Sequence, residues 1–95
     1  MAPPQRTVRV VIRGRVQGVW YRGWTVATAR TLELGGWVRN CRDGSVEAVF
    51  SGLATDVEAM LSHCHQGPPA ARVEAVTAET WSGPVSLDFH QLPGE

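Results

Sequence analysis

The run Gly14-Arg15-Val16-Gln17-Gly18-Val19-Trp20-Tyr21-Arg22 combines residue types that bind an anion without a metal. Its glycines open backbone angles closed to other residues, so successive N–H groups of a turn can converge on one point. A helix starting near Tyr21 would add its first N–H groups, which have no partner inside the helix. Arg22 then brings a full positive charge into the first turn, where the helix dipole disfavours a cation unless an anion is bound. The candidate cradle is Val16, Gln17, Gly18, Val19, Trp20, Tyr21 and Arg22. The same residues also fit a plain strand-to-helix loop with a solvated arginine, because glycine-rich loops of this kind are common. A nucleotide P-loop does not fit: the spacing from Gly14 to Gly18 is one residue short, and no Lys-Ser/Thr follows.

Asn40 is the second candidate. Strand interiors disfavour Asn, yet it lies at the end of an apolar run, just before Asp43-Gly44. Its amide both donates and accepts, so it suits either of two tasks: holding a water molecule in one orientation, or stabilising the hairpin locally.

The charge pattern directs attention to the same half of the chain. All nine basic residues are Arg and none is Lys, which excludes a Walker lysine, a Schiff-base lysine and a lysine general base. The net charge is zero, but residues 1–42 carry eight Arg against Glu33 (8 − 1 = +7). Residues 43–95 carry Arg72 against eight acids (1 − 8 = −7). An anion site therefore belongs in the first half, and Arg13, Arg15, Arg39 and Arg42, which flank the two candidate segments, would add positive potential.

Ninety-five residues make one domain, 43% hydrophobic, which is ordinary for a globular chain. Cys41 and Cys64 allow at most one bridge, so both read as reduced thiols of a cytoplasmic protein. There is no signal-peptide apolar region and no run approaching a membrane span, so no membrane partner is expected.

The elements that must position the candidates follow from periodicity. Val8, Val10 and Ile12 alternate as strand 1, and Tyr21, Thr25, Ala29 and Leu32 recur at helical spacing to about Glu33, with Gly35-Gly36 as the stop. Trp37–Cys41 and Ser45–Phe50 flank Asp43-Gly44, a strong hairpin signal. Leu53, Val57, Met60, Leu61 and Cys64 mark helix 2, with Thr55 and Glu58 as a capping box and Gly67-Pro68-Pro69 as the stop. Arg72–Trp81 forms strand 4, and Val85, Leu87 and Phe89 alternate as a short fifth strand. The order β-α-β-β-α-β predicts an α+β domain of the ferredoxin-like, split βαβ class. An antiparallel sheet would be covered on one face by two helices, with the core spanning about residues 7–92 between frayed termini. Strands 1 and 2 run parallel in that arrangement, but the pattern alone does not bring the start of helix 1 beside the end of strand 2.

With both segments in hand, the chain resembles the acylphosphatase family over about residues 7–82. Residues 14–22 match its Gly-x-Val-Gln-Gly-Val-x-Phe/Tyr-Arg pattern. Residues 36–47, Gly-Trp-Val-Arg-Asn-Cys-Arg-Asp-Gly-Ser-Val-Glu, match its second pattern, and Gly67–Val73 resembles its segment before strand 4. The segment Phe89–Glu95 departs from the basic, aromatic finish common in the family. The resemblance implies hydrolysis of acyl phosphates, with Arg22 binding phosphate, Asn40 orienting the attacking water, and residues 16–22 cradling the phosphoryl oxygens. It also implies that Arg22 and Asn40 converge. The substrate would be a small acyl phosphate, with inorganic phosphate or sulfate as a competing anion, and the enzyme would be a monomer needing no cofactor or metal. The alternative is a non-catalytic anion-binding or regulatory domain on the same scaffold.

Other polar and aromatic residues have plainer readings. His63-Cys64-His65 do not share a helix face, and no second cluster completes a metal site. Trp20, Trp24, Trp37 and Trp81 offer stacking surfaces, but zero net charge and the lack of an RNA-binding strand motif argue against nucleic acid. Packing is the expected role of Trp37 and Trp81.

Overall fold

The computed structural model describes residues 4–95, and the expected fraying of the amino end falls partly on residues 1–3, outside them. The elements run β1 (Gln5–Arg15), α1 (Tyr21–Thr31), β2 (Gly35–Asn40), β3 (Val46–Leu53), α2 (Ala54–Gln66), β4 (Arg72–Thr80) and β5 (Phe89–Gln91). They build one sheet in the order β4-β1-β3-β2-β5. The ferredoxin-like α+β arrangement is as the pattern predicts. The sheet is mixed rather than wholly antiparallel, because β5 pairs parallel to β2.

The alternation along β1 explains the core. Val8, Val10 and Ile12 face the helices opposite Phe50, Ala48 and Val46 of β3, and all six are buried. The helices answer at their own spacing, with Tyr21, Thr25 and Ala29 from α1 and Val57, Met60 and Cys64 from α2. Phe89 of β5 stacks on Phe50, ring centroids 5.4 Å apart, which fastens the edge strand to the core. The opposite face of the sheet is open. There Trp37 and Trp81 meet edge to face at 6.5 Å, and Arg39 lies over the Trp37 ring. Among the described residues, no helix is long and apolar enough to cross a membrane.

Four local expectations are corrected. Helix α1 is stopped by Glu33, not by Gly35-Gly36: Glu33 adopts φ 57, its N–H reaches Arg30 O, and Leu34 N–H reaches Ala29 O. That is a Schellman stop with Glu at the position glycine usually fills. Helix α2 has no Thr55 capping box: β3 runs straight into it through Leu53, and the Ala54 N–H is taken by Pro4 O. Strand β5 begins at Phe89; Leu87, expected to alternate into the sheet, is 97% exposed. The carboxyl end is not frayed, since Leu92 N–H donates to Val38 O and Glu95 N–H to Asn40 O.

The glycines that were expected to end α1 instead open β2, and Gly36 shows why one is required there. Its φ is 127, and a Cβ would overlap the Val49 carbonyl oxygen of β3. Gly36→Ala should therefore lower stability by about 2 kcal/mol or more, combining backbone strain with a clash against main chain. A fall in the urea midpoint at unchanged m-value would register it; an unaltered midpoint would contradict the close approach of β2 to β3.

Candidate active site

Topology brings the two candidate segments to one edge. Strands β1 and β2 both pair antiparallel with β3, so they run parallel to each other and end at the same edge. Val46 is the partner of Ile12 on one side and of Asn40 on the other. The chain leaving β1 therefore enters its loop about two strand spacings, roughly 10 Å, from the end of β2.

A side chain closes that gap. Gln17 Nε2 donates to the carbonyl oxygens of Cys41 (2.8 Å) and Ser45 (2.9 Å), tying the loop to the hairpin that carries Asn40. The hairpin is itself braced by its turn. Cys41 N–H donates to Ser45 O, Gly44 N–H to Cys41 O, and the Ser45 N–H and Oγ both donate to Asp43 Oδ1. Arg13 completes the link from β1, with Nη1 3.1 Å from Asp43 Oδ2. Hydrogen bonds from Ser45 and from Arg13 hold the Asp43 carboxyl down at about 2.

Between loop and hairpin lies a cleft of about 180 Å³. Five of the seven expected cradle residues line it: Val16, Gly18, Trp20, Tyr21 and Arg22. Asn40 lines it too, so the structure does bring Arg22 and Asn40 together. The other two cradle residues contribute side chains elsewhere: Gln17 to the hairpin, and Val19 against the core. Gly23 and Gln91 complete the lining and were not anticipated. Gln91 reaches the cleft because β5 pairs with β2, setting Gln91 opposite Val38.

The backbone of the loop turns through two left-handed residues. Gly18 has φ 75, and Trp20, the residue before α1, has φ 68. Among the described residues, no backbone carbonyl accepts from the N–H groups of residues 17–22. No acid occupies the first turn of α1, and Arg22 has no carboxylate within 4.0 Å among the described residues. Tyr21, the neighbour of Arg22, points inward and donates its hydroxyl to Cys64 O at 2.7 Å, anchoring the turn to the end of α2. Burial pushes the Tyr21 phenol far up and the Cys64 thiol up to about 12, so both stay neutral. Asn40 Oδ1 is buried and, among the described residues, has no hydrogen-bond partner. A buried acceptor left empty costs about 1–3 kcal/mol, which a bound donor would recover.

The acylphosphatase family model matches residues 8–91. The chain is 53% identical over 88 residues to an acylphosphatase of Rhodospirillum rubrum, covering 93% of this chain and 97% of that one. To an acylphosphatase of Rhizorhabdus wittichii it is 48% identical over 91 residues, covering 96% and 92%. A solved acylphosphatase from Coxiella burnetii superposes with a TM-score of 0.88 at 32% identity, over 93% of each chain. Fold and relatives thus describe a hydrolase of ferredoxin-like architecture. The chain belongs to the acylphosphatase family. Its reaction, in general terms, is the hydrolysis of acyl phosphates.

Two measurements probe this scaffold. Gln17→Leu removes both bonds from loop to hairpin and should lower stability by about 1–3 kcal/mol in urea unfolding; an unchanged midpoint would show the amide to be dispensable. Asp43 has a folded pKa below its unfolded value, so what it contributes to the turn is fully present above about pH 4 and lost as pH falls through about 2. A carboxyl-detected NMR titration of Asp43 should find its midpoint near about 2; a midpoint near the ordinary value of about 3.9 would refute the bracing by Ser45.

Proposed function

We propose that the cleft holds the phosphoryl group of an acyl phosphate between the Arg22 guanidinium and the N–H groups of residues 16–22, and that Asn40 orients the water that attacks it. The observation that carries this reading is the pairing, in one cleft, of an arginine and a buried amide oxygen that have, among the described residues, no carboxylate partner and no donor respectively. Asn40 Oδ1 would accept one O–H of the water, leaving an oxygen lone pair free to face phosphorus.

The residue types suit the chemistry. A leaving carboxylate has a conjugate acid with a pKa near about 4, so it departs without a strong general acid. Charge gathers on the equatorial phosphoryl oxygens, where fixed N–H donors and one Arg stabilise it. The water oxygen bonds to phosphorus as the bond from phosphorus to the acyl oxygen breaks, and both water protons end on the phosphate product. No Ser or Cys nucleophile, His base, metal or cofactor enters this scheme. Inorganic phosphate and sulfate would compete for the same donors. All the proposed groups come from one chain, consistent with action as a monomer, and the free thiols Cys41 and Cys64 suit a cytoplasmic location.

Benzoyl phosphate hydrolysis with EDTA present tests the scheme. Arg22→Ala should lower turnover by about 10² or more. Asn40→Ala should lower kcat while inhibition by phosphate stays near the wild-type value, since the cradle remains. Wild-type protein that binds phosphate without hydrolysing benzoyl phosphate would instead favour an anion-binding regulatory domain. Full turnover by Asn40→Ala would remove the water-orienting role and leave the activity standing.

A further inference from the structure

The scheme above acts on the phosphoryl end of the substrate and leaves the acyl end unassigned. Among the described residues, the large hydrophobic side chains that are exposed are Trp20, Leu53 and Leu87, and of these only Trp20 lines the cleft. The cleft's other apolar side chains, Val16 and Tyr21, are buried in the core and offer almost no surface. Trp20 is 66% exposed, far more than is usual for tryptophan, which is highly buried on average.

That exposure is built in. Trp20 takes φ 68 and ψ 22 immediately before α1, a left-handed conformation that bulky residues rarely adopt. Its indole rests on the first helical turn: a Cβ on Gly23 would overlap Nε1 and lie 2.7 Å from both Cδ1 and Cε2. The ring is seated against backbone and still open to solvent. In-line displacement places the acyl group on the side of phosphorus away from the attacking water. Asn40, which would hold that water, belongs to β2, whereas Trp20 stands where the loop meets α1.

We infer that Trp20 is the acyl-group platform: its indole takes the planar, apolar acyl group while the cradle holds phosphate, so the enzyme favours aroyl phosphates over short acyl phosphates. This rests on the phosphoryl placement proposed above.

Comparing kcat/KM for benzoyl and acetyl phosphate in wild type, Trp20→Gly and Trp20→Phe tests it. Glycine tolerates the left-handed backbone, and Phe keeps a ring. In Trp20→Gly the ratio of kcat/KM for benzoyl phosphate to that for acetyl phosphate should fall about three- to tenfold, with Trp20→Phe restoring most of the ratio. Equal losses on the two substrates would overturn the platform. A second arm needs no turnover: calorimetry with phenylphosphonate and methylphosphonate. Tighter binding of the phenyl compound to wild type, with the difference abolished in Trp20→Gly, supports the platform; equal binding to wild type overturns it even if hydrolysis stands. Failure of wild type to hydrolyse either acyl phosphate would remove the phosphoryl scheme, and the phosphonate arm would still decide whether Trp20 receives an aryl group.

Discussion

Strand β3 is hydrogen-bonded on both sides, and the arrangement of the site depends on that. With β1 and β2 both antiparallel to it, their carboxyl ends leave the sheet at one edge, and one residue, Val46, faces both Ile12 and Asn40. The loop that follows β1 starts beside the hairpin that follows β2. Gln17 needs only the length of one side chain to join them. Lifting either neighbour from β3 would separate the arginine from the asparagine without altering a single residue of the cleft.

The charge split along the sequence takes a different meaning once folded. Acids of the second half pair with arginines of the first. Glu47, nearly covered, receives Arg9 and Arg39 from the strands on either side, and Asp43 receives Arg13. Burial alone would raise the Glu47 pKa, but the hydrogen bonds from Arg39 and Arg9 outweigh it and keep the carboxylate below its ordinary value. Arg13 and Arg39, expected to add positive potential beside the motifs, are thus paired locally. Among the described residues, three of the eight first-half arginines, Arg9, Arg13 and Arg39, are held in ion pairs, and Arg22 is one of the five outside them.

Much of this was legible in the chain. Period-2 alternation gave β1, the Asp-Gly turn gave the hairpin, and the spacing of Val57, Met60 and Cys64 gave α2, because each signal lies within a few residues. Gly-x-Val-Gln-Gly-Val and the segment around Asn40 turn out to line a single cleft. What escaped was decided by distant partners. Residues 85–88 alternate like a strand, yet residue-by-residue pairing with β2 begins only at Phe89, where Phe50 receives the ring. Thr55 had the look of a cap, but Pro4 had already supplied the acceptor for Ala54. The side-chain role of Gln17 escaped because nothing local reveals that its amide spans to Cys41 and Ser45. Convergence of Arg22 with Asn40 is likewise a property of strand order, which spacing along the chain does not encode.

Tyr21 and Arg22 are neighbours on the first turn of α1, one turned into the core and one facing the cleft. The Tyr21 hydroxyl, held by the Cys64 carbonyl, makes that turn continuous with the far end of α2. Opening the turn would therefore require breaking core packing rather than fraying a loop. The paired amides that follow it, from Trp24 onward, should exchange with solvent deuterium only when the core itself opens, while the N–H groups of residues 17–22, which no backbone carbonyl holds among the described residues, exchange freely. An enzyme built this way meets its substrate with a preformed surface, and its catalytic competence and its foldedness rise and fall as one quantity.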